Sequence, residues 1–125
     1  KTAIDELYHN NDDSYSPFWT RVFSDAEDWD CKNSERKFKE TLDNLNTKNN
    51  RNEDTKVKGM IMGHSPQYMY DKGINSDCSN KLWRVDVGMS RAFGPLDDDS
   101  DEVKYRKVQI LVIENDKKCK IIKEE

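Results

Sequence analysis

All five glycines and all four methionines of this 125-residue chain fall between Gly59 and Gly94. Glycine serves where backbone takes a positive φ or approaches a neighbour closely. The middle segment therefore reads as the site-bearing part of the chain. The middle also differs in charge. Residues 1–55 hold 8 Lys/Arg against 13 Asp/Glu, residues 56–96 hold 6 against 3, and residues 97–125 hold 7 against 9. A positive stretch inside a chain of net charge -4 suits an anionic ligand. A segment this short can also differ by a few charges by chance.

Leu, Ile, Val and Phe supply only 24 residues, 19% of the chain, which lies near the compositional edge of disorder. The small net charge argues against disorder, so a single domain with a small core is expected, and it can be part of something larger. The first residue is Lys rather than Met, which hints at a chain processed or cut from a longer one. No run of 18 apolar residues is present, so no transmembrane helix and no membrane role are expected. Lys1–Asn10 carries no apolar signal-peptide core. The acidic balance and the lack of a basic helix argue against nucleic acid as a partner. Cys31, Cys78 and Cys119 are odd in number and form no CxxC pair, so free thiols in a reducing, cytoplasmic compartment are expected.

Residues 1–15 are polar and read as a flexible amino-terminal segment, with His9 as a solvated loop histidine. Pro17–Phe23 is aromatic-rich and is expected to be buried, with Arg21 among apolar neighbours. Ser24 can cap a helical turn through Asp30. Asn33 or Ser34 can cap a helix over 35–46, in which Phe38, Leu42 and Leu45 form one apolar stripe. Residues 46–55 read as a loop. Val57–Met62 reads as a buried strand, and Lys81–Val87 as a strand with Leu82, Arg84 and Asp86 on one face. Val103–Glu114 is the longest strand expected. It turns at Asn115-Asp116-Lys117 and pairs back through Cys119–Lys123. The acidic run 97–102 reads as a solvated loop or a weak cation site, without the spacing of an EF-hand. The order of elements predicts an α/β or α+β fold, a sheet with helices packed on it.

The most informative stretch is Gly63-His64-Ser65-Pro66-Gln67 at the end of the first strand. A strand that delivers a histidine into a loop at its carboxyl end fixes the imidazole on rigid backbone, where ligand sites of open α/β sheets lie. Such an imidazole can be a metal ligand or a structural side chain.

The wider stretch VKGMIMGHSPQ, GIN and KLWRVDVGMSRAFG, in this order, resembles the carboxyl-terminal half of calcineurin-like metallophosphoesterases. Within them it is nearest the Shewanella-like (bacterial-type) phosphoprotein phosphatases. Upstream, Ser-Pro-Phe-Trp-Thr-Arg is similar to that branch's apolar-Trp-x-Arg element. Downstream, VQILVIENDKKCKII is similar to its closing strand pair. The resemblance covers most of residues 16–122 and implies the carboxyl-terminal half of a β-sandwich flanked by helices, over residues 16–125.

Position by position, the resemblance implies that His64 is a ligand of one of two divalent metals (Mn, Fe or Zn) and that Arg21 grips substrate phosphate. Arg21 can instead be a buried structural ion pair. Asp86, Ser90 and Arg91 would lie beside the site or on the substrate rim, or Asp86 is a strand residue bonding backbone. The family's GDxHG, GDxVDRG and GNHE motifs are absent from this chain, whose only other histidine is His9. The implied activity is hydrolysis of a phosphate monoester, on a phosphoprotein substrate, by metal-activated water. The implied partner is the missing amino-terminal half of the same domain, without which the isolated chain is expected to be inactive. The alternative is a truncated, non-catalytic half-domain that acts as a binding module.

Overall fold

The computed structural model describes residues 21–25, 31–96 and 101–124. The expectations on residues 1–20, on a helical turn through 26–30 and on 97–100 lie outside them. Helix α1 spans Cys31–Lys48, longer at both ends than the apolar stripe implied, so Asn33 and Ser34 lie within it rather than capping it. Phe38 and Leu42 are buried, but Leu45 is 41% exposed and Asn46 is buried in its stead. The reason is a side chain that behaves like a strand. The Asn46 amide donates to the Val57 carbonyl at 3.0 Å, and its Oδ1 accepts the Val57 N–H at 2.8 Å. Both polar ends of the amide are satisfied, which removes the cost of burying it. The helix stops at Asn50, whose φ of 49° is left-handed. The Arg51 N–H reaches back to the Asn46 carbonyl and the Asn50 N–H to that of Thr47, the two bonds of a Schellman cap.

Strands β1 (Met60–Met62), β2 (Asn75–Asp77) and β3 (Leu82–Arg84) form a sheet in the order β1-β3-β2. β1 runs parallel to β3 and β2 antiparallel to it. Residues of the central strand alternate between two faces, and all three of them are buried. Leu82 packs with Phe38 and Leu42 of α1, while Trp83 packs with Ile74 and Val87 on the opposite side. A strand with a core on each face loses the polar half of the period-2 pattern. The first strand is also shorter and less buried than expected. β1 is an edge strand, and Ile61 is 52% exposed.

The link between β2 and β3 is a left-handed turn in which Cys78, Ser79 and Asn80 have φ of 53°, 56° and 62°. Each such non-glycine residue costs on the order of 1 kcal/mol. The turn is held by the Trp83 indole N–H, which donates to the Asn80 carbonyl at 2.9 Å, and by a 2.6 Å bond from Ser76 Oγ to Asn80 Oδ1.

β4 (Gln109–Glu114) and β5 (Lys118–Lys123) form the expected hairpin. Asn115 and Asp116 take φ of 53° and 54° in its turn, which the Lys117 N–H closes on the Glu114 carbonyl. Leu111, Cys119 and Ile121 pack on the Trp83 side of the sheet. The long strand expected from Val103 does not form. Residues Asp101–Arg106 are instead a short helix, α2, so part of the acidic run is helical too. Two tertiary ties decide this. The Gln109 side chain accepts the Ile74 N–H and donates to the Tyr105 carbonyl at the helix end. Arg106 is buried by contacts described below. The architecture is α+β: α1, the mixed sheet and the hairpin in successive layers, with β3 between two small cores. Cys78 and Cys119 form no disulfide among the described residues, and no described helix is long and apolar enough to cross a membrane.

Gly59 is required where the chain enters β1. A Cβ there would lie 2.5 Å from the Lys81 carbonyl oxygen, the acceptor of the Met60 N–H. Gly59→Ala should therefore prise β1 from β3 and cost about 1–3 kcal/mol, read as a lower urea midpoint. An unchanged midpoint would show that the strand edge gives way freely.

Candidate functional site

β1 and β3 are parallel, so both carboxyl ends point the same way. β1 leads into Gly63-His64, and β3 leads through Val85 into Asp86. His64 is exposed, and its φ of 73° puts a non-glycine residue in left-handed backbone. That conformation costs on the order of 1–3 kcal/mol and persists only where the surroundings over-determine it.

The residues after His64 supply that constraint. Ser65 is buried, and its hydroxyl lies 2.8 Å from that of Ser24. Gln67 is fully buried. Its amide nitrogen donates to the carbonyls of Ser24 and Ser65 at 3.0 and 2.8 Å, and its Oε1 accepts from Asn75 Nδ2 at 2.8 Å. Its backbone N–H donates to the Asp86 carbonyl at 2.8 Å, tying the two strand-end loops together. Arg84, 1% exposed at the end of β3, donates through Nε to the Phe23 carbonyl at 2.9 Å. Its Nη1 reaches Asp77 Oδ2 at 2.6 Å and Asn75 Oδ1 at 3.1 Å.

Residues 21–25 are thus strapped to the strand ends by three side chains, Ser65, Gln67 and Arg84, from 41 to 61 residues away. The strap is a tight turn in which the Arg21 carbonyl accepts the N–H groups of Ser24 and Asp25. The turn that carries Arg21 and the loop that carries His64 are stitched directly, Ser24 to Ser65. The expected burial of Arg21 is not found. Arg21 and Val22 are exposed, whereas Phe23 turns inward, edge-on to Phe38 at 5.7 Å, and Ser24 is buried.

Asp86 is half-buried, and its Oδ1 accepts the Gly88 N–H at 3.0 Å. That is the backbone-bonding alternative, an aspartate turn that helps Gly88 hold a φ of 63°. Ser90 and Arg91 are exposed on the next loop. The Ser90 hydroxyl accepts the Ala92 N–H and caps a short 3-10 turn, Arg91–Phe93. This loop is fastened by Arg106, which is 3% exposed. Its guanidinium donates to the carbonyls of Gly88, Ser90, Gly94 and Pro95 at 2.8 to 3.2 Å and lies 5.1 Å from the Tyr68 ring. Tyr68 in turn meets Phe93 edge-on.

Arg21, His64, Asp86, Ser90 and Arg91 therefore sit on three loops fixed to one another at one end of the sheet. Sequence reasoning missed the fixing residues Ser24, Ser65, Gln67, Asn75 and Arg106. Only Arg84 left a trace, as a charged residue on the Leu82 face of a strand. No three His, Cys, Asp or Glu side chains among the described residues are grouped to hold a metal ion. The described residues therefore do not fit a metal pair by themselves, and His64 is their only imidazole.

No protein-family model matches the chain, and no solved structure does. Over 35 residues the chain is 57% identical to Shewanella-like protein phosphatase 2 of Arabidopsis thaliana. Those residues are 28% of this chain and 8% of that protein, so the likeness is to a small part of a phosphatase.

Proposed function

We propose that the chain is part of a phosphatase of the Shewanella-like, calcineurin-like type, acting on phosphate monoesters of proteins. The observation that carries this reading is the 57% identity over 35 residues with a protein phosphatase. The layered α+β architecture, with a loop histidine at a strand's carboxyl end, agrees with one half of a phosphoesterase sandwich. In this reading Arg21 receives phosphate oxygens, for which a guanidinium fork is matched. Its exposure, on a turn stitched to the His64 loop, supports that role over a buried ion pair. Ser90 and Arg91 line the rim, and Asp86 acts only by holding its loop. His64 offers a single ligand position. The metal pair of such enzymes needs several carboxylate and imidazole ligands that the described residues do not group, so no chemical step is assigned to metal on these residues.

The 125-residue chain is expected not to hydrolyse p-nitrophenyl phosphate with added manganese; robust turnover would overturn the incomplete site. In a longer polypeptide carrying the upstream half, His64→Ala should remove about one metal ion per chain, read by elemental analysis, along with most activity. Unchanged metal content would end the ligand role. Arg21→Ala in the same polypeptide should weaken inhibition by inorganic phosphate, and unaltered inhibition would make Arg21 structural.

A further inference from the structure

The polar side chains of Arg84, Asn75 and Gln67 form a series of hydrogen bonds with one fixed direction. An arginine only donates. Its Nη1 lies 3.1 Å from Asn75 Oδ1, so Asn75 must turn its oxygen to Arg84 and its nitrogen to the other side. That nitrogen donates to Gln67 Oε1 at 2.8 Å, which in turn aims the Gln67 nitrogen at the Ser24 carbonyl, 3.0 Å away. Arg84 Nε donates separately to the Phe23 carbonyl at 2.9 Å. The series therefore begins at one guanidinium and ends on two consecutive carbonyls. Gln67, Ser24 and Arg84 are all buried, so water competes little for these bonds.

Those two carbonyls belong to the peptides whose N–H groups close the turn on Arg21. The peptide of the Phe23 carbonyl carries the Ser24 N–H, and the peptide of the Ser24 carbonyl carries the Asp25 N–H. Both N–H groups donate to the Arg21 carbonyl, at 3.1 and 3.0 Å. A peptide that accepts at its oxygen donates more strongly at its nitrogen, so bonds in series reinforce one another. Each peptide of the turn is such a link, with Arg84 or Gln67 behind it and the Arg21 carbonyl ahead. The side chains of Arg21 and Val22 are exposed, so their own packing does not set the turn.

We propose, on the reading of Arg21 as the phosphate-binding residue, that Gln67 and Asn75, oriented by Arg84, are positioning residues for it. They fix the main chain from which the Arg21 guanidinium reaches phosphate. The grip is then set by side chains of β2, β3 and the loop after His64 rather than by the neighbours of Arg21 in sequence.

Two substitutions test this. Gln67→Met keeps the length of the side chain and removes its donor. Asn75→Asp keeps a partner for Arg84 but offers Gln67 an oxygen in place of a nitrogen, so the Gln67 amide must reverse and the Ser24 carbonyl loses its donor without a change of volume. In the 125-residue chain, followed by ¹⁵N NMR, both should move the Asp25 amide proton upfield and speed its exchange, with a smaller change at Ser24, which Arg84 serves. In a longer polypeptide carrying the upstream half, both should weaken inhibition by inorganic phosphate by about fivefold or more. In an Arg21→Ala background neither should weaken it further, whereas a general loss of structure would add to the effect. Should Gln67→Met fail to fold, Asn75→Asp alone decides. An unmoved Asp25 amide, unaltered phosphate inhibition, or an equal loss in the Arg21→Ala background would each overturn the positioning role. If Arg21→Ala by itself leaves inhibition unaltered, the phosphate reading of Arg21 fails, and the positioning role falls with it.

Discussion

Arg84→Ala is expected to lower the stability of the chain by about 3 kcal/mol, seen as a urea midpoint shifted down by about 2 M. The side chain is 1% exposed, and its bonds to described residues include three that no neighbour can replace: to the Phe23 carbonyl, the Asn75 amide oxygen and the Asp77 carboxylate. Breaking a buried ion pair by deleting one partner typically costs about 3–5 kcal/mol. Asp77 keeps 32% of its side chain in water, which places the loss at the lower end of that range. Small domains hold only about 5–15 kcal/mol in total, and this one has few apolar residues in reserve. Arg84→Lys should recover little, because an ammonium cannot span three acceptors fixed in a guanidinium's plane. A midpoint unchanged in Arg84→Ala would mean that the bonds of Arg84 to Phe23, Asn75 and Asp77 contribute nothing to folding.

Arg106→Ala should cost a similar amount by a different route. Its partners are four carbonyls rather than a carboxylate. Each buried carbonyl left without a donor costs about 1–3 kcal/mol, less where water can enter. Ser90 is exposed, so its carbonyl can be rehydrated, whereas Gly88 is buried. A loss of about 3 kcal/mol follows. A feature separates this variant from an ordinary core deletion: low concentrations of guanidinium chloride should raise its stability, by filling the vacated site, before destabilising it. Amide exchange in residues 88–95 should accelerate in the variant and slow again with the added ion. Acceleration without such rescue would show that packing of the aliphatic stem, rather than the carbonyl bonds, fixes the loop.

What could be read in advance divides by the range of the interaction. The hairpin was legible because Asn115-Asp116 carries its own turn preference, and its strands need only each other. Phe38 and Leu42 were legible from helical spacing. Leu45 was misplaced because periodicity sees only apolarity, and Asn46 is buried by two bonds to Val57 that no pattern records. The stretch after Asp101 alternates like a strand, and only ties to Ile74 and to the 88–95 carbonyls make it helical. At the site, the position of His64 followed from a strand ending in glycine. The exposure of Arg21 did not follow, because aromatic neighbours suggested a buried segment. What holds that segment is long-range bonding to its main-chain oxygens, which leaves no mark in local sequence.

Arg106 grips the 88–95 loop by main-chain oxygen alone. Its shape is therefore indifferent to which side chains stand at Met89 and Ala92, both of them exposed. Such a loop is a fixed frame with interchangeable fittings. Its chemistry can drift from one descendant to the next while its outline stays the same.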